Sequence, residues 1–79
     1  MHNIQISNAK QLHNINDSQG KKFSYFGITT KGKASGYGVA TFNDNNYYIG
    51  LFVNNKREGQ GELHYSNGNV YKGPWVRDA

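Results

Sequence analysis

A 23-residue repeat governs what this chain can fold into. Tyr25-Phe26-Gly27, Tyr48-Ile49-Gly50 and Tyr71-Lys72-Gly73 are one Tyr-x-Gly unit, and 48 − 25 = 71 − 48 = 23. Gly36-Tyr37-Gly38 and Gly59-Gln60-Gly61 are a second unit at the same interval. Phe42 falls on Tyr65, Lys33 on Lys56 and Phe52 on Trp75. Every matched position is a glycine, an aromatic, a turn former or a lysine. A repeat of this length means a stack of small structural units, and it fixes the architecture before any other feature is weighed.

Within each unit the period is two, the signature of β-strands. Gly36, Gly38, Ala40 and Phe42 share one face of a strand, and Tyr37, Val39 and Thr41 the other. Asn43-Asp44-Asn45-Asn46 reads as a turn, because Asn and Asp tolerate positive φ and hydrogen-bond their own backbone. A returning strand follows from Tyr47 to Val53, then a polar connector, Asn54-Asn55-Lys56-Arg57-Glu58. The second unit repeats this with a strand Gly59 to Tyr65, a turn at Ser66-Asn67-Gly68-Asn69 and a strand Val70 to Val76. Asn67-Gly68 is the strongest short hairpin signal a sequence can carry. The expected fold is all-β, a single-layer antiparallel meander of hairpins. Pro74 cannot donate to a ladder, which places the last strand at an edge.

Residues 23–79 form the repeat module, and residues 1–22 stand outside its beat. That arm carries scattered apolar residues and a turn-like Asn16-Asp17-Ser18-Gln19-Gly20. It reads either as a decayed strand, Gln11 to Ile15 pairing with Lys22 to Ile28, or as a capping arm, since terminal repeats must shield an edge. Ala79 falls within a third unit, so the chain reads either as ending there or as a piece of a longer array.

A chain of 79 residues buries only about 60 % of its unfolded surface. With no cysteine, neither a disulfide nor a thiolate metal site is available. Packing area must come from six Tyr, four Phe and one Trp, each worth roughly 150–250 Å² when buried. No stretch approaches the roughly 18–20 apolar residues of a membrane span. Without cysteines or a signal core, an intracellular, cytoplasmic or cytoskeleton-associated location is expected.

Three sets of candidate binding residues emerge. The first is an aromatic stripe, Phe42, Tyr48, Phe52, Tyr65, Tyr71 and Trp75, on the face of Gly38, Gly50, Gly61 and Gly73. A glycine lets a ring lie flat across the neighbouring strand, so the stripe reads as internal packing or as packing plus partner contact through half-open rings. The second is the opposite face of the first unit, where Phe26, Ile28, Val39, Ile49 and Leu51 are apolar although one face of such a sheet should be polar. Something should cover them: the N-terminal segment, a second copy or a partner. The third is a basic edge, Lys31, Lys33, Lys56 and Arg57, read as a solvated loop edge or as a weak attraction for anionic lipid, worth about 1 kcal/mol per basic residue.

Catalytic chemistry finds no support in the sequence. Glu62 and His64 point to the same side of one strand, but no third ligand stands at a useful spacing, so they read as a surface pair and no metal site is assigned. Gly36-Tyr37-Gly38 and Gly59-Gln60-Gly61 lack the third glycine of a dinucleotide loop, and no nucleophile motif occurs. No cofactor and no small-molecule substrate is expected. Nucleic acid is not expected either, because the rings that would stack on bases are committed to glycine packing.

These residues resemble the MORN repeat family (membrane occupation and recognition nexus), whose pattern runs Tyr-x-Gly-x-Trp, a Gly/Lys-rich connector, Gly-x-Gly, an apolar strand and Asp/Asn-Gly. Tyr48-Ile49-Gly50-Leu51-Phe52, Lys56, Gly59-Gln60-Gly61, Tyr65 and Asn67-Gly68 follow it closely, and Tyr71-Lys72-Gly73-Pro74-Trp75 opens another copy. Tyr25 to Tyr47 is a weaker copy, with Thr29 in the Phe/Trp position. The resemblance implies a non-catalytic, elongated single-layer sheet that docks protein segments, dimerises or sits at membrane junctions in ciliary, cytoskeletal and signalling assemblies. It carries over no universal binding residue. Three readings of function follow: a protein-interaction or scaffold subunit, alone or as a homo-oligomer; a module binding anionic membrane lipid; and a fragment of a larger MORN-containing enzyme whose catalytic domain lies beyond residue 79.

Overall fold

Six strands form one antiparallel sheet in the computed structural model, which describes residues 9–78. They are β1 (Ala9–Asn16), β2 (Lys22–Thr30), β3 (Lys33–Phe42), β4 (Tyr47–Val53), β5 (Lys56–His64) and β6 (Val70–Trp75). Spatial order equals chain order, so every neighbour is joined by a hairpin and the sheet is an open meander. Of the two readings of the N-terminal arm, a strand forms: β1 pairs with β2, with Leu12 opposite Tyr25 and Gln11 opposite Phe26. The expected connector at 54–58 is shorter than its polarity suggests. Only Asn54 and Asn55 turn, at φ 50° and 71°, and Lys56, Arg57 and Glu58 belong to β5. Lys31-Gly32 makes the same two-residue turn between β2 and β3. Positive φ at both central residues matches the right-handed twist of the strands it joins.

The repeat is a physical unit of four contacts. Gly27 lies opposite Gly38, and Gly50 opposite Gly61. A Cβ on Gly38 or Gly61 would sit within 2.4 Å of the Tyr25 or Tyr48 ring, so only glycine admits the ring. The tyrosine hydroxyl then donates to a carbonyl three residues on, Tyr25 Oη to Ile28 O at 2.6 Å and Tyr48 Oη to Leu51 O at 3.0 Å. Those two residues are the ones the pairing skips: the register runs from Gly27 to Thr29 and from Gly50 to Phe52 with a bulge between. Opposite them Gly36 and Gly59 hold φ at 115° and 81°, which favours glycine at the first position of Gly-x-Gly.

A flat single sheet would leave both faces wet. Here Tyr25 and Tyr48 are 0 % exposed, and Phe23, Phe42, Phe52, Leu63 and Trp75 are buried with them. The sheet therefore curls around its glycine-and-ring face, as strong twist allows. Phe52 is the hub. It meets Tyr48 edge-on at 5.1 Å, Tyr25 at 4.9 Å and Phe23 in a stack at 6.0 Å between ring centroids.

Candidate functional site

The aromatic stripe divides. Phe42, Tyr48, Phe52 and Trp75 are buried and form the core, whereas Tyr65 and Tyr71 remain exposed. Phe23 and Leu63 join the core although the stripe does not include them. Their signal was alternation alone, since Phe23 stands two before Tyr25 and Leu63 two after Gly61. Burial pushes the Tyr25 and Tyr48 phenols up to about 12; for Tyr48 it outweighs the nearby Arg57 charge. The folded value lies above the unfolded 10.0, so the stabilisation is complete below 10.0 and is lost as pH rises towards about 12. Alkaline unfolding should therefore coincide with late phenolate absorbance, and the Tyr25→Phe/Tyr48→Phe variant should lose that late step. Ionisation of all phenols together near 10.0 in a still-folded chain would contradict this.

Arg57, expected on the basic edge, is buried. It is not an open basic residue of the edge. Its guanidinium is sandwiched over Trp75 at 4.8 Å and Phe42 at 5.3 Å. Arg57 Nε donates to Asp78 Oδ1 at 3.1 Å, and one Nη lies 3.7 Å from Asp17 Oδ2. Asp78 also accepts from Arg57 N, Ser18 N and Ser18 Oγ. This cluster ties the β1–β2 turn to the chain after β6, residues sixty apart. The repeat carried one hint. Arg57 falls on buried Ala34, and Asp78 falls on Asn55, whose Oδ1 accepts from Ala34 N at 2.8 Å in the same way. A pocket of about 250 Å³ adjoins the cluster, but its cations already face carboxylates: Arg57 as described, and Lys21 Nζ on Asp44 at 3.0 Å. Of the other lysines, Lys31 and Lys33 are exposed and Lys56 Nζ donates to Ser18 Oγ.

The opposite face presents the apolar residues in a row. Register places Phe26 opposite Val39, Val39 opposite Ile49, and Ile49 opposite Glu62. Phe26 is 52 % exposed; Val39, Ile28 and Leu51 are exposed, and Ile49 is half-buried. Tyr37, paired with Leu51 and 58 % exposed, extends the patch, which the sequence reading did not include. A depression of about 330 Å³ lies beside it between Tyr37, Ile49, Leu51 and the polar Gln60, Glu62 and Lys72. Polar side chains bound the row, with Gln11 opposite Phe26 on β1 and Lys72 opposite Glu62 on β6. His64 Nε2 and Glu62 Oε1 are 3.0 Å apart, and the His64 ring stacks on Tyr47 at 4.6 Å. Among the described residues no three His, Cys, Asp or Glu side chains gather to hold a metal.

The model of the MORN repeat family matches residues 25–47 and 48–70, more than half of the chain. The chain belongs to the MORN repeat family. The two MORN matches abut and share the 23-residue length of the unit built above, each beginning at the tyrosine that covers a glycine. No curated protein matches the chain at a significant level. MORN repeats are in general protein- or membrane-binding modules and are typically non-catalytic. In this MORN sheet most of the ring face is packed on itself, whereas most of the apolar row on the opposite face is exposed.

Proposed function

We propose that the protein is a non-catalytic interaction module, a scaffold piece of a larger assembly, that holds a partner's strand or helix against the apolar back of its sheet. One observation carries this: Phe26, Val39 and Ile49 stand side by side on three adjacent strands, the first two exposed and the third half-buried, where a solvated sheet face would be polar. Contiguous exposed apolar surface of this kind marks interaction sites. Tyr37 adds the amphipathic ring typical of interface anchors. Lipid binding is the weaker reading, since Arg57 is withdrawn from the basic edge and Lys31 and Lys33 remain as its open charges.

The experiment is capture of partners from a cell extract by the chain and by Phe26→Glu/Val39→Glu. Both sites are exposed, so the variant should keep its fold within about 1 kcal/mol, since each surface change costs about 0.5 kcal/mol or less. It should lose the captured protein, while Lys31→Glu/Lys33→Glu keeps it. Equal capture by all three chains would overturn the proposal. Retention of the chain on anionic but not neutral vesicles, abolished by the lysine changes, would favour the lipid reading.

A further inference from the structure

Phe23 is the ring that closes the first unit of the core. It stacks on Phe52 at 6.0 Å and tilts against its register partner Phe42 at 5.2 Å between ring centroids. One repeat later the same three positions hold Asn46, Trp75 and Tyr65, since 46 − 23 = 75 − 52 = 65 − 42 = 23. All three line the pocket of about 250 Å³ beside the Arg57 cluster. The pocket thus stands where the second unit has an amide in place of a ring. The Asn46 amide is held by the neighbouring turns: its Oδ1 accepts from Ser66 N at 2.9 Å, and its Nδ2 donates to Asp44 Oδ2 at 3.4 Å. In the first unit the ring comes from a strand ahead of those it packs on, and not from a later repeat.

The lining suits a neutral ring. It holds two cations, Lys21 and Arg57, against two carboxylates, Asp17 and Asp78, so its formal charges cancel. Phe42 and Leu63 are buried and supply apolar wall, while Tyr65 and Gln19 are exposed. Trp75 is 7 % exposed, and among the described residues its Nε1 donor has no acceptor. A buried donor left unpaired is costly, and a ligand that supplies an acceptor relieves that cost. A cavity of about 150 Å³ already admits benzene.

We propose that this pocket is a binding site, separate from the apolar back face, for one neutral aromatic ring of phenol size that carries a hydrogen-bond acceptor. The ring takes the place beside Trp75 and Tyr65 that Phe23 takes beside Phe52 and Phe42, within the separations at which aromatic pairs attract. Its oxygen accepts from the Trp75 indole N–H. A free phenol and the side chain of a tyrosine share this chemistry.

The probe is p-cresol, titrated into the isotope-labelled chain. Trp75 is the single tryptophan, so one indole N–H resonance reports on the pocket. A saturable shift of that resonance is expected, with a Kd of about 1 mM or below. Asn46→Phe supplies the ring from the chain itself and should weaken p-cresol about tenfold or more, because the two rings cannot share the space. Tyr65→Ala, at an exposed site, should keep the fold and weaken p-cresol about threefold or more through the loss of one ring contact. Phe26→Glu/Val39→Glu should bind p-cresol as the unaltered chain does, so a failure of partner capture at the back face leaves this result standing. N-acetyltyrosinamide separates the two sources of the ring. Binding as tight as that of p-cresol assigns the site to a tyrosine side chain of a polypeptide, and much weaker binding assigns it to a free phenol. Absence of a saturable shift, unchanged affinity in either folded pocket variant, or loss of binding in Phe26→Glu/Val39→Glu would each overturn the proposal.

Discussion

Tyr48→Ala is expected to leave the chain mostly unfolded at room temperature. The side chain is fully buried, packs edge-on against both Phe52 and Trp75, and donates its hydroxyl to Leu51 O. Truncating a buried aromatic to alanine costs about 3–5 kcal/mol. A domain of this length holds about 4–12 kcal/mol in total, from 0.05–0.15 kcal/mol per residue. The lost hydroxyl also removes the hydrogen bond to Leu51 O, a bond of a kind worth about 0.5–1.5 kcal/mol. The reciprocal change, Gly61→Ala, should destabilise by about 1–3 kcal/mol or more, since its Cβ would fall within 2.3 Å of the Tyr48 ring. In a Tyr48→Leu background the same Gly61→Ala change should cost less. Urea unfolding followed by circular dichroism measures all of these. An equal cost of Gly61→Ala in both backgrounds would show that the glycine serves its own backbone and not the ring.

Arg57→Ala should cost about 3–5 kcal/mol, because it strips the partner from carboxylates that the fold has already buried. It also removes the planar group that fills the space between Phe42 and Trp75. The effect should be felt at both ends of the chain at once, with faster hydrogen exchange around Asp17 to Lys21 and around Arg77 and Asp78. The cluster makes stability depend on acid. Burial by itself pushes the Asp78 carboxyl up, but the donors from Arg57 and Ser18 together outweigh it and hold it below the ordinary 3.8. With the folded value below the unfolded one, the unfolded chain takes up the proton first. The contribution is therefore present above 3.8 and is lost as pH falls through the folded value. Asp78→Asn should flatten that part of the acid limb while lowering stability at neutral pH. An acid limb identical in the two chains would show that Asp78 carries no share of it.

Much of the fold was legible in the residues. Alternation set the two faces of β3 and β4, and the bounds Tyr47 to Val53 coincide with β4. The turn at Asn43 to Asn46 forms with Asn45 at φ 70°, matching Gly68 at 97° in the next unit. The connector at 54–58 was less legible, because polarity marks solvent exposure and not the end of a ladder. β5 extends back to Lys56 since a two-residue turn suffices to reverse the chain. The candidate sites were legible as faces and not as surfaces. Phe42 and Tyr65 hold the same repeat position, yet Phe42 is buried beneath Arg57 and Tyr65 stays open in the last full unit.

The sequence by itself determined the 23-residue unit, the pairing of each tyrosine with a glycine and the family. These follow from local spacing, which the alternation of a strand converts directly into faces. Only the tertiary structure decided which face closes. The curl of the sheet buries the rings and turns Arg57 inward, and it brings Ser18 to Asp78. Such contacts depend on twist accumulated over six strands, and no spacing within one repeat records that sum.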